Sequence, residues 1–516
     1  QMGFDPATTQ KRLGDGFYEQ KLVREQIGEL TGRRFLDGYA SDEEQYRALL
    51  EAGATVASSW GLRPGIALTA AQMAQLTSDI VWLVEQTITL ADGSTTTALV
   101  PQVYLRVQAG DLSNNGALLA GANVDLKLRG DFVNQGDVAG RQLVSIDAGN
   151  IRNLAGANIS GQQVGLQARQ DIEIIGSKVT ATDALSVKAG GDITVASTTR
   201  SWESAGSHAQ SSTSIDRVAG LYVTSPSGIG ALSVNAGGDV TLTGAQVANA
   251  GTQGVTVLAA GGNLNLETIA EQRSLDVTSD SRNYLRTSQT THVGSTVNGV
   301  GDVVLEAGND VNLAAANISA GNAIAVQAGR DINSSVAVDV ATFDSSSAGK
   351  KSSRAVSASD DTVQGTQIAA GGNIVLQAGR DLTLQAATVA SDEGGIGVSA
   401  GRDVNLTAAQ EQHDLTIEEQ RKKSGVLKTK TTATLDSWSD SIAVTTTLSG
   451  ETVTVAAGRD LTSQGAQIAG TGDVLLAAGR DVILGVAENT HTEVHDKTVT
   501  KSGLFSGGGV GFRSEE

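Results

Sequence analysis

Residues 398–409, "VSAGRDVNLTAA", contain the pattern that decides the fold. Val404 and Leu406 alternate with Asn405 and Thr407, so a β-strand would place one row of side chains inside and the other outside. The glycine just before this strand permits a crowded corner that a Cβ would oppose. The aspartate that follows the corner can accept hydrogen bonds from neighbouring backbone N–H groups. The stretch therefore predicts a short strand that begins at a tight corner.

The same phrase recurs along most of the chain. From Ala307 to Ala328, and again from Ala457 to Ala478, the step is about 21 residues, which is typical of a solenoid. A second phrase, such as "GAQIAG" at 465–470, lies between the copies and marks another corner. One unit cannot bury its inner row alone, whereas stacked units can. We therefore predict an all-β fold, a right-handed parallel β-helix solenoid with coils of about 21 residues.

Composition excludes several classes of protein. The 516 residues include 62 Gly, 4 Pro and no Cys, with 3% aromatic residues and a net charge of −19. This acidic balance disfavours nucleic acid as a partner, and without cysteine there is neither a disulfide framework nor a thiolate metal site. Because the sequence has no run of 18 apolar residues and no signal peptide, we expect a soluble piece of a longer protein.

The first hundred residues differ from the repeats. Apolar residues recur at helical spacing in 17–30 and 41–61, and a third helix is expected to begin after Thr69 and to run through "TSDIVWLVEQ". Alternation then predicts a hairpin over 87–107, with its turn at Asp92-Gly93. We predict a small α/β N-terminal cap at residues 1–106, followed by the repeat region, a parallel β-helix, at 107–516.

Long polar segments interrupt the repeats about every 70 residues. They are too long for ordinary connections, and together they contain all 5 histidines of the chain. We expect these excursions to form hairpin-like projections, with disorder as the alternative. They lie near 197–230, 271–299, 338–364, 410–446 and 488–516.

One acidic or amide residue follows the glycine corner in many units. A residue that recurs once per coil has first a structural role, so we predict a ladder of turn-capping side chains. Calcium binding and catalysis are the alternatives, but the sequence lacks the nine-residue calcium repeat, and we expect no catalytic residue, no metal site and no cofactor. The predicted corner ladder comprises Asp192, Asp239, Asn263, Asp310, Asp331, Asn373, Asp381, Asp403, Asp460 and Asp481.

Three short motifs invite a chemical function. Zinc binding by His491 and His495 requires a helix, but the flanking residues favour extended structure and Glu493 is not where a zinc-protease motif places it. The Arg-Gly-Asp at 129–131 coincides with the repeat corner, so we expect it to be structural and not an integrin motif. The glycine-rich segment 506–512 lacks the context of a phosphate loop, and we expect a flexible or membrane-contacting tail.

The repeats resemble those of the filamentous haemagglutinin family, exoproteins exported by two-partner secretion. The more specific resemblance lies in "DPATTQKRLGDGFYEQKLVREQIGELTGRRFLDGYASDEEQYRALLEAG" at 5–53 and in the excursions with "RKKSGVLKTKT" and "KSGLFSGGGVGF". These segments are similar to the second haemagglutinin-repeat region of CdiA-type contact-dependent growth inhibition effectors. The resemblance covers essentially the whole chain.

The resemblance implies a non-catalytic filament region that presents a C-terminal toxin and delivers it across the outer membrane of a target cell. It also implies a secreted, surface-associated protein of a Gram-negative bacterium, with an outer-membrane secretion transporter, a target-cell receptor and the attached toxin as partners. The chain has no amino-terminal secretion domain and no Val-Glu-Asn-Asn toxin boundary, so we expect it to be neither self-exporting nor toxic.

Two other functions remain open from the sequence. An adhesin rod would bind a host or bacterial surface through the excursions without insertion, and a carbohydrate-active enzyme would need clustered carboxylates in a cleft. The candidate contacts for a membrane or a partner are basic and apolar residues of the last two excursions: Lys422, Lys423, Lys428, Lys430, Lys501, Leu504 and Phe505.

Overall fold

The computed structural model describes residues 16–31, 35–36, 39, 41–68, 72, 76, 78–89, 95–104, 118–225, 228–426, 428–505 and 509–515. The chain forms two compact units. The first contains Gln1–Thr198, Ile215–Ala236 and Ala245–Val255. The second contains Thr199–Ser214, Gly237–Gly244 and Thr256–Glu516.

The first unit begins with the cap. Helices Gly16–Thr31 and Asp42–Trp60 pack on an antiparallel pair of strands, Ile80–Thr89 and Thr95–Tyr104. The Ser41 hydroxyl caps the second helix by accepting from the Glu44 N–H at 3.2 Å. Gly61 ends that helix with φ of 65°, a conformation that favours glycine. The two helices and the hairpin agree with the predicted α/β cap, and the predicted turn at Asp92-Gly93 lies outside the described residues.

The predicted third helix was wrong from Ile80 onward, although Gln72, near its predicted start, is helical. Ile80–Thr89 is a strand, and its consecutive residues Ile80, Val81 and Trp82 are all buried. Val81 packs into the cluster that contains Leu49, whereas Ile80 and Trp82 pack into the opposite cluster around Ala57. Because this strand is buried on both faces, its sequence is a continuous apolar run, which periodicity cannot distinguish from a buried helix.

Parallel β-helix coils make up the rest of the first unit. Their strands pair with the strand one coil away, as in Ile151↔Ile172 and Ile172↔Ile193. The strands are Leu118–Lys127, Phe132–Asn134, Asp137–Ala148, Ile151–Leu154, Asn158–Ala168, Ile172–Ile175, Lys178–Ala189, Ile193–Ala196, Gly220–Val223, Ala231–Ala236 and Gln246–Asn249.

The second unit has the same kind of architecture, with three short strands per coil. Val311↔Ile332 are register partners 21 residues apart in the sequence, which confirms the predicted solenoid of parallel coils. The coil strands are Val240–Thr243, Val255–Ala260, the start of Leu264–Asp280, Thr296–Gly299, Asp302–Ala307, Val311–Ala314, Asn317–Ala320, Ile324–Ala328, Ile332–Ser335, Gln367–Ala370, Ile374–Ala378, Leu382–Gln385, Thr388–Ser391, Ile396–Ala400, Val404–Thr407, Thr447–Gly450, Val453–Ala457, Asp460–Gln464, Gln467–Gly470, Val474–Ala478 and Asp481–Gly485.

The solenoid core is a set of stacked columns of apolar side chains. Leu382, Val404 and Leu461 are successive partners in one column, and each has 0% exposure. The outward partner Asn405 is partly exposed, as the alternation in the sequence predicted. Each inward residue is therefore covered by the equivalent residue of the coil above and of the coil below.

The excursions are ordered antiparallel hairpins, as the fold prediction expected, but the first ends at Arg217, because Gly220–Val223 is a buried coil strand and not part of the predicted excursion near 197–230. We number them 1 to 5 in chain order. Hairpin 1 is Thr198–Ser204 with His208–Arg217; hairpin 2 is the outer part of Leu264–Asp280 with Asn283–Gly294; hairpin 3 is Ala337–Ala348 with Ser352–Gln364; hairpin 4 is Ala409–Ser424 with Lys428–Val444; hairpin 5 is Thr490–Phe505 with Gly509–Glu515.

Within the second unit, hairpins leave the solenoid at every second coil. Hairpins 2 to 5 follow the third strands of their coils, whereas the corners after Val311–Ala314, Leu382–Gln385 and Asp460–Gln464 carry none. Strands in a sheet and coils in a β-helix have the same spacing of about 4.8 Å. A hairpin adds two strands for two coils of rise, so successive hairpins stay level with the solenoid and can lie side by side.

The two kinds of corner have different side chains. Where no hairpin leaves, the chain turns tightly, and Ala315 and Ala386 have positive φ values of 45° and 46°. Where a hairpin returns, a buried hydroxyl joins neighbouring coils. The Thr446 hydroxyl lies 2.9 Å from Leu384 O and 3.0 Å from Thr407 O. The hydroxyls of Ser295 and Thr366 likewise donate to backbone carbonyls of neighbouring coils. Each of these buried hydroxyls therefore has a hydrogen-bond partner.

Candidate interaction surface

The five hairpins pair sideways to form one antiparallel sheet in the second unit. We call each junction between neighbouring hairpins a seam. At the seam between hairpins 4 and 5, backbone pairing runs from Lys428↔Gly503 to Ser441↔Thr490. The other seams join hairpins 1 and 2, hairpins 2 and 3, and hairpins 3 and 4. The excursions are therefore parts of one surface, which we call the hairpin sheet.

The outer end of the hairpin sheet carries a row of cations. Lys423, Lys430 and Lys501 are register partners across three strands, so their side chains share one face. Lys428 precedes Lys430 by two residues and therefore lies on that face as well. Lysine side chains this close repel one another, and an anionic ligand would relieve the repulsion.

The predicted contact residues cluster at this end of hairpins 4 and 5. Lys422, Lys423, Lys428 and Lys430 are exposed and flank the turn of hairpin 4, where Val426 is fully exposed. Leu504 and Phe505 are the last residues of the strand Thr490–Phe505 in hairpin 5, opposite Val510 and Gly509 in the backbone register.

The neighbouring hairpin turns carry cations that the sequence reasoning did not select. Arg282 lies in the turn of hairpin 2, and Lys350 and Lys351 lie in the turn of hairpin 3; all three are exposed. The Lys351 carbonyl accepts from the Lys422 N–H at 2.8 Å, which holds the ends of hairpins 3 and 4 together. The signal was present in the sequence, because each of these cations lies in the turn between two polar alternating strands.

An open groove lies among these hairpin ends. Arg282, Lys350, Lys351, Arg354 and Lys422 supply positive charge to its walls, and three carboxylates, Glu418, Glu419 and Asp496, supply negative charge. Arg354 pairs with Glu419 at 3.2 Å across the seam between hairpins 3 and 4. The groove is therefore net cationic in a chain whose overall charge is −19.

Histidine and aspartate side chains meet at three of the four seams. The Nδ1 atoms of His292 and His495 lie 3.1 Å and 2.7 Å from Oδ1 of Asp339 and Asp436, respectively. His413 bonds Asp360 in the same way, and His491 bonds Asp440. The sequence placed every histidine in an excursion but could not pair them, because the partners lie on different hairpins.

These carboxylates change the ionisation of three of the histidines. The hydrogen bonds from Asp360, Asp440 and Asp436 raise the pKa values of His413, His491 and His495, respectively, above the ordinary value. Glu493 bonds the Nε2 atom of His495 at 2.6 Å, and this bond lowers the pKa of the glutamate. The carboxylates around these three histidines therefore favour their protonated form.

The acidic corner residues stack on equivalent residues of neighbouring coils. Asp331 accepts from the backbone N–H of Asp381 at 3.1 Å and from Nε of Arg380 at 2.8 Å. Asp403 likewise accepts hydrogen bonds from the backbone N–H of Asp460 and from Nε of Arg459. The register gives one ladder in the second unit: Asp239, Asn263, Asp310, Asp331, Asp381, Asp403, Asp460 and Asp481.

The first unit has a ladder of its own. Asp192 donates its backbone N–H to Asp171 at 2.8 Å, and Asp171 in turn donates to Asn150 at 3.1 Å. Asn150 donates its N–H to Asp131, the last residue of the Arg-Gly-Asp motif, at 3.0 Å. The aspartate of this motif therefore caps a coil corner of the first unit, as predicted.

Asn373 does not belong to the ladder, which corrects the sequence prediction. It precedes Ile374, whose partners are Ile324 and Ile396, and so lies at the other glycine corner of the coil. There its side-chain oxygen accepts from the Gly395 N–H at 2.8 Å. The error arose because the two corners of each coil use nearly the same Ala-Gly phrase.

The ladder makes the solenoid sensitive to acid. Hydrogen bonds from Arg380, Arg402 and Arg459 hold the pKa values of Asp331, Asp381 and Asp403, respectively, below the ordinary value. A lowered folded pKa gives stability that is present above the ordinary carboxyl pKa of about 3.9 and is lost as pH falls through the folded value. We expect the melting temperature of the solenoid to fall steeply below about pH 4.

Thermal melting monitored by circular dichroism between pH 7 and pH 2 measures this effect. The double variant Arg402→Gln and Arg459→Gln removes two of the cations, so its melting temperature should depend less on pH in the acid range. Identical acid dependence in the native and variant chains would show that the arginine–aspartate ladder does not control acid stability.

The described residues contain no group of three or more histidine, aspartate or glutamate side chains arranged to hold a metal ion. His491 and His495 lie on one face of a strand, and each is bonded to a carboxylate of hairpin 4. The carboxylates of the corner ladder are spaced one per coil, and those from Asp310 to Asp481 are paired with arginines. No helix among the described residues is long and apolar enough to cross a membrane.

The stacked parallel coils define the class of protein, a parallel β-helix solenoid, which in the second unit carries one hairpin for every two coils. The family model described as Hemagglutinin repeat matches residues 156–225, 276–350 and 346–500, and a second model described as Haemagglutinin repeat matches 217–267. The chain belongs to the haemagglutinin-repeat family, and it is a CdiA-type filamentous haemagglutinin repeat region.

Relatives that are named for different nuclease activities match over nearly the whole chain. A protein named tRNA nuclease CdiA from Escherichia coli is 34% identical over 516 residues, which cover 99% of this chain and 15% of the relative. One named 16S rRNA endonuclease CdiA from Enterobacter cloacae is 36% identical over 517 residues, again 99% of this chain and 15% of the relative.

A third relative, named Deoxyribonuclease CdiA, from Dickeya dadantii, is 31% identical over 514 residues, 97% of this chain and 15% of the relative. The chain thus spans about 15% of the length of these proteins. No solved structure matches the chain.

Proposed function

We propose that this chain is the filament region of a secreted contact-dependent inhibition effector, and that it presents and delivers a C-terminal toxin at the outer membrane of a target cell. The family match and the full-length similarity to CdiA proteins support this function. Those relatives are named for three different nuclease activities but share this region. A shared region with differing activities is what a common delivery segment requires.

In this proposal, residues 1–106 form the cap and residues 107–516 form the repeat region. The full-length protein is secreted through an outer-membrane two-partner transporter and stays at the cell surface. It recognises a target-cell receptor, and the toxin lies in the same full-length chain. Neither catalysis nor nucleic-acid binding is assigned to this region.

The observation that carries the membrane role is the cationic end of the hairpin sheet. Lys422, Lys423, Lys428 and Lys430 project from hairpin 4 beside the exposed Val426. Phosphate groups of an outer-membrane surface are anionic, and each lysine near such a surface contributes about 1 kcal/mol of binding free energy. We infer that these residues, together with Lys501, Leu504 and Phe505, contact the target membrane.

Co-sedimentation with outer-membrane vesicles from a susceptible bacterium tests this inference. We expect replacement of Lys422, Lys423, Lys428 and Lys430 by glutamine to weaken vesicle binding at least about tenfold at low salt, because four charges are removed from one end. A control chain loses four exposed cations of the first unit, Lys127, Arg129, Arg141 and Lys188, and should bind like the native chain.

The two sets of variants also separate delivery from simple adhesion. Equal vesicle binding by the native chain and both variants would show that the hairpin ends do not contact the membrane. Saturable binding to a surface protein or glycan, insensitive to salt and without binding to lipid vesicles, would favour the adhesin rod instead.

A further inference from the structure

Three successive seams of the hairpin sheet are crossed by histidine–aspartate pairs. His292 meets Asp339 between hairpins 2 and 3, and His413 meets Asp360 between hairpins 3 and 4. Two pairs cross the seam between hairpins 4 and 5, where the aspartates are Asp440 and Asp436. In the described chain, a pair of this kind therefore joins each of hairpins 2, 3 and 4 to the next hairpin.

The pairs between hairpins 3, 4 and 5 form a row with alternating charge. Asp360, His413, Asp440 and His491 are successive register partners across four strands. Protonated histidines give the row the order negative, positive, negative, positive, so every neighbour attracts. Neutral histidines leave two aspartates without a cation between them, and the attraction across the seams is lost.

The other titratable groups near these histidines are also carboxylates. Glu411 faces His413 from its own strand with Nε2 3.8 Å from Oε2. Glu493 lies between His491 and His495, 3.9 Å and 2.6 Å from their Nε2 atoms. The ring of Trp438 packs edge-on against His495, with ring centroids 5.6 Å apart, and donates its Nε1–H to Glu493.

We propose that the histidine–aspartate pairs between hairpins 3, 4 and 5 are proton-dependent clasps, which hold these hairpins side by side when protonated and release them when neutral. The coils themselves contain no histidine, since all 5 lie in hairpin strands. A change of pH near neutrality therefore acts on the hairpin sheet and leaves the solenoid core unchanged. Because the hairpin ends carry the cationic row, the clasps decide whether those ends form one surface or separate projections.

The direction of the effect follows from ionisation. Pairing with aspartate raises the pKa values of His413, His491 and His495. A raised folded pKa gives stability that is fully present below the ordinary histidine pKa of about 6.5 and is lost as pH rises through the folded value. The hairpin sheet should therefore be tightest in mildly acidic solution and should loosen in alkaline solution.

Pairs of spin labels measure the separation of hairpins directly, because the chain has no native cysteine. Cysteines introduced at Ser437 and Val494, which are register partners across the seam between hairpins 4 and 5, report on that seam. Cysteines at Thr416 and Ser437, which are partners within hairpin 4, are the internal control. We expect the seam pair to gain a longer-distance population between pH 5.5 and pH 9, and the control pair to keep one distance.

Variants assign the change to the clasps. His491→Gln with His495→Gln should show the longer-distance population already at pH 5.5, whereas His491→Arg with His495→Arg should keep the short distance at both pH values. The variant His208→Gln, in hairpin 1, should behave like the native chain. A seam distance that does not change with pH in the native chain, or that is the same in the glutamine variant, would overturn the proposal.

Discussion

Leu406→Asp is expected to unfold the repeat region at room temperature or to lower its stability by more than about 4 kcal/mol. Leu406 has 0% exposure and lies between its register partners Leu384 and Ser463 in adjacent coils. A carboxylate at this position has no cation within the core and cannot reach solvent. The loss of stability extends to neighbouring coils, because each coil covers the apolar core of the next.

Urea denaturation monitored by circular dichroism measures this loss. The matched control is Asn405→Asp, which adds the same charge to the adjacent outward-facing position and should change stability by less than about 0.5 kcal/mol. Similar stabilities for Leu406→Asp and Asn405→Asp would contradict the inward assignment of alternate residues in this strand.

Gly401→Ala is expected to destabilise the chain by about 3 kcal/mol through a steric clash between coils. A Cβ on Gly401 would lie 2.2 Å from the carbonyl oxygen of Gly379, the equivalent corner glycine of the preceding coil. Stacked backbones cannot move apart here without breaking the hydrogen bond from Gly401 N–H to Ala378 O, which is 3.0 Å long. The glycine therefore allows close approach of two coils and is not required for a positive φ.

The control for this substitution is four residues away on the same coil. A Cβ on Gly397 would have its nearest neighbour, Ile374 O, at 4.0 Å, so Gly397→Ala should be neutral or slightly stabilising. Thermal melting of both variants gives the comparison. Equal melting temperatures would show that the corner glycines are not required for stacking.

The coil architecture could be predicted because its information is local and repeated. Alternation in "VNL" defined an inward row, and the step from Ala307 to Ala328 defined the coil length. The same logic identified the acidic ladder but included Asn373, because two corners of one coil share a phrase. The strand at Ile80–Thr89 was mistaken for a helix, because burial on both faces removes the alternation.

The hairpin sheet could not be predicted to the same depth. Each hairpin is encoded locally by polar alternating strands, but its neighbour is the hairpin two coils away. Thr416 and Ser357 are partners across a seam although 59 positions separate them, and nothing in either segment specifies the other. The pairing follows from the solenoid, which brings one hairpin to the same corner at every second coil. The histidine–aspartate pairs and the cationic row depend on that register.

Residue-resolved hydrogen exchange of residues 428–441 at pH 5.5, where the histidine–aspartate pairs are protonated, tests the central claim that the hairpins form one sheet. In an isolated hairpin, every second amide of this strand points away from its partner and exchanges freely. In the hairpin sheet, those outward amides bond the neighbouring strand Thr490–Phe505 and should be protected as strongly as the inward ones. Strong protection of both sets is the predicted result. Protection of alternate amides alone would show that the hairpins project separately and would contradict the sheet.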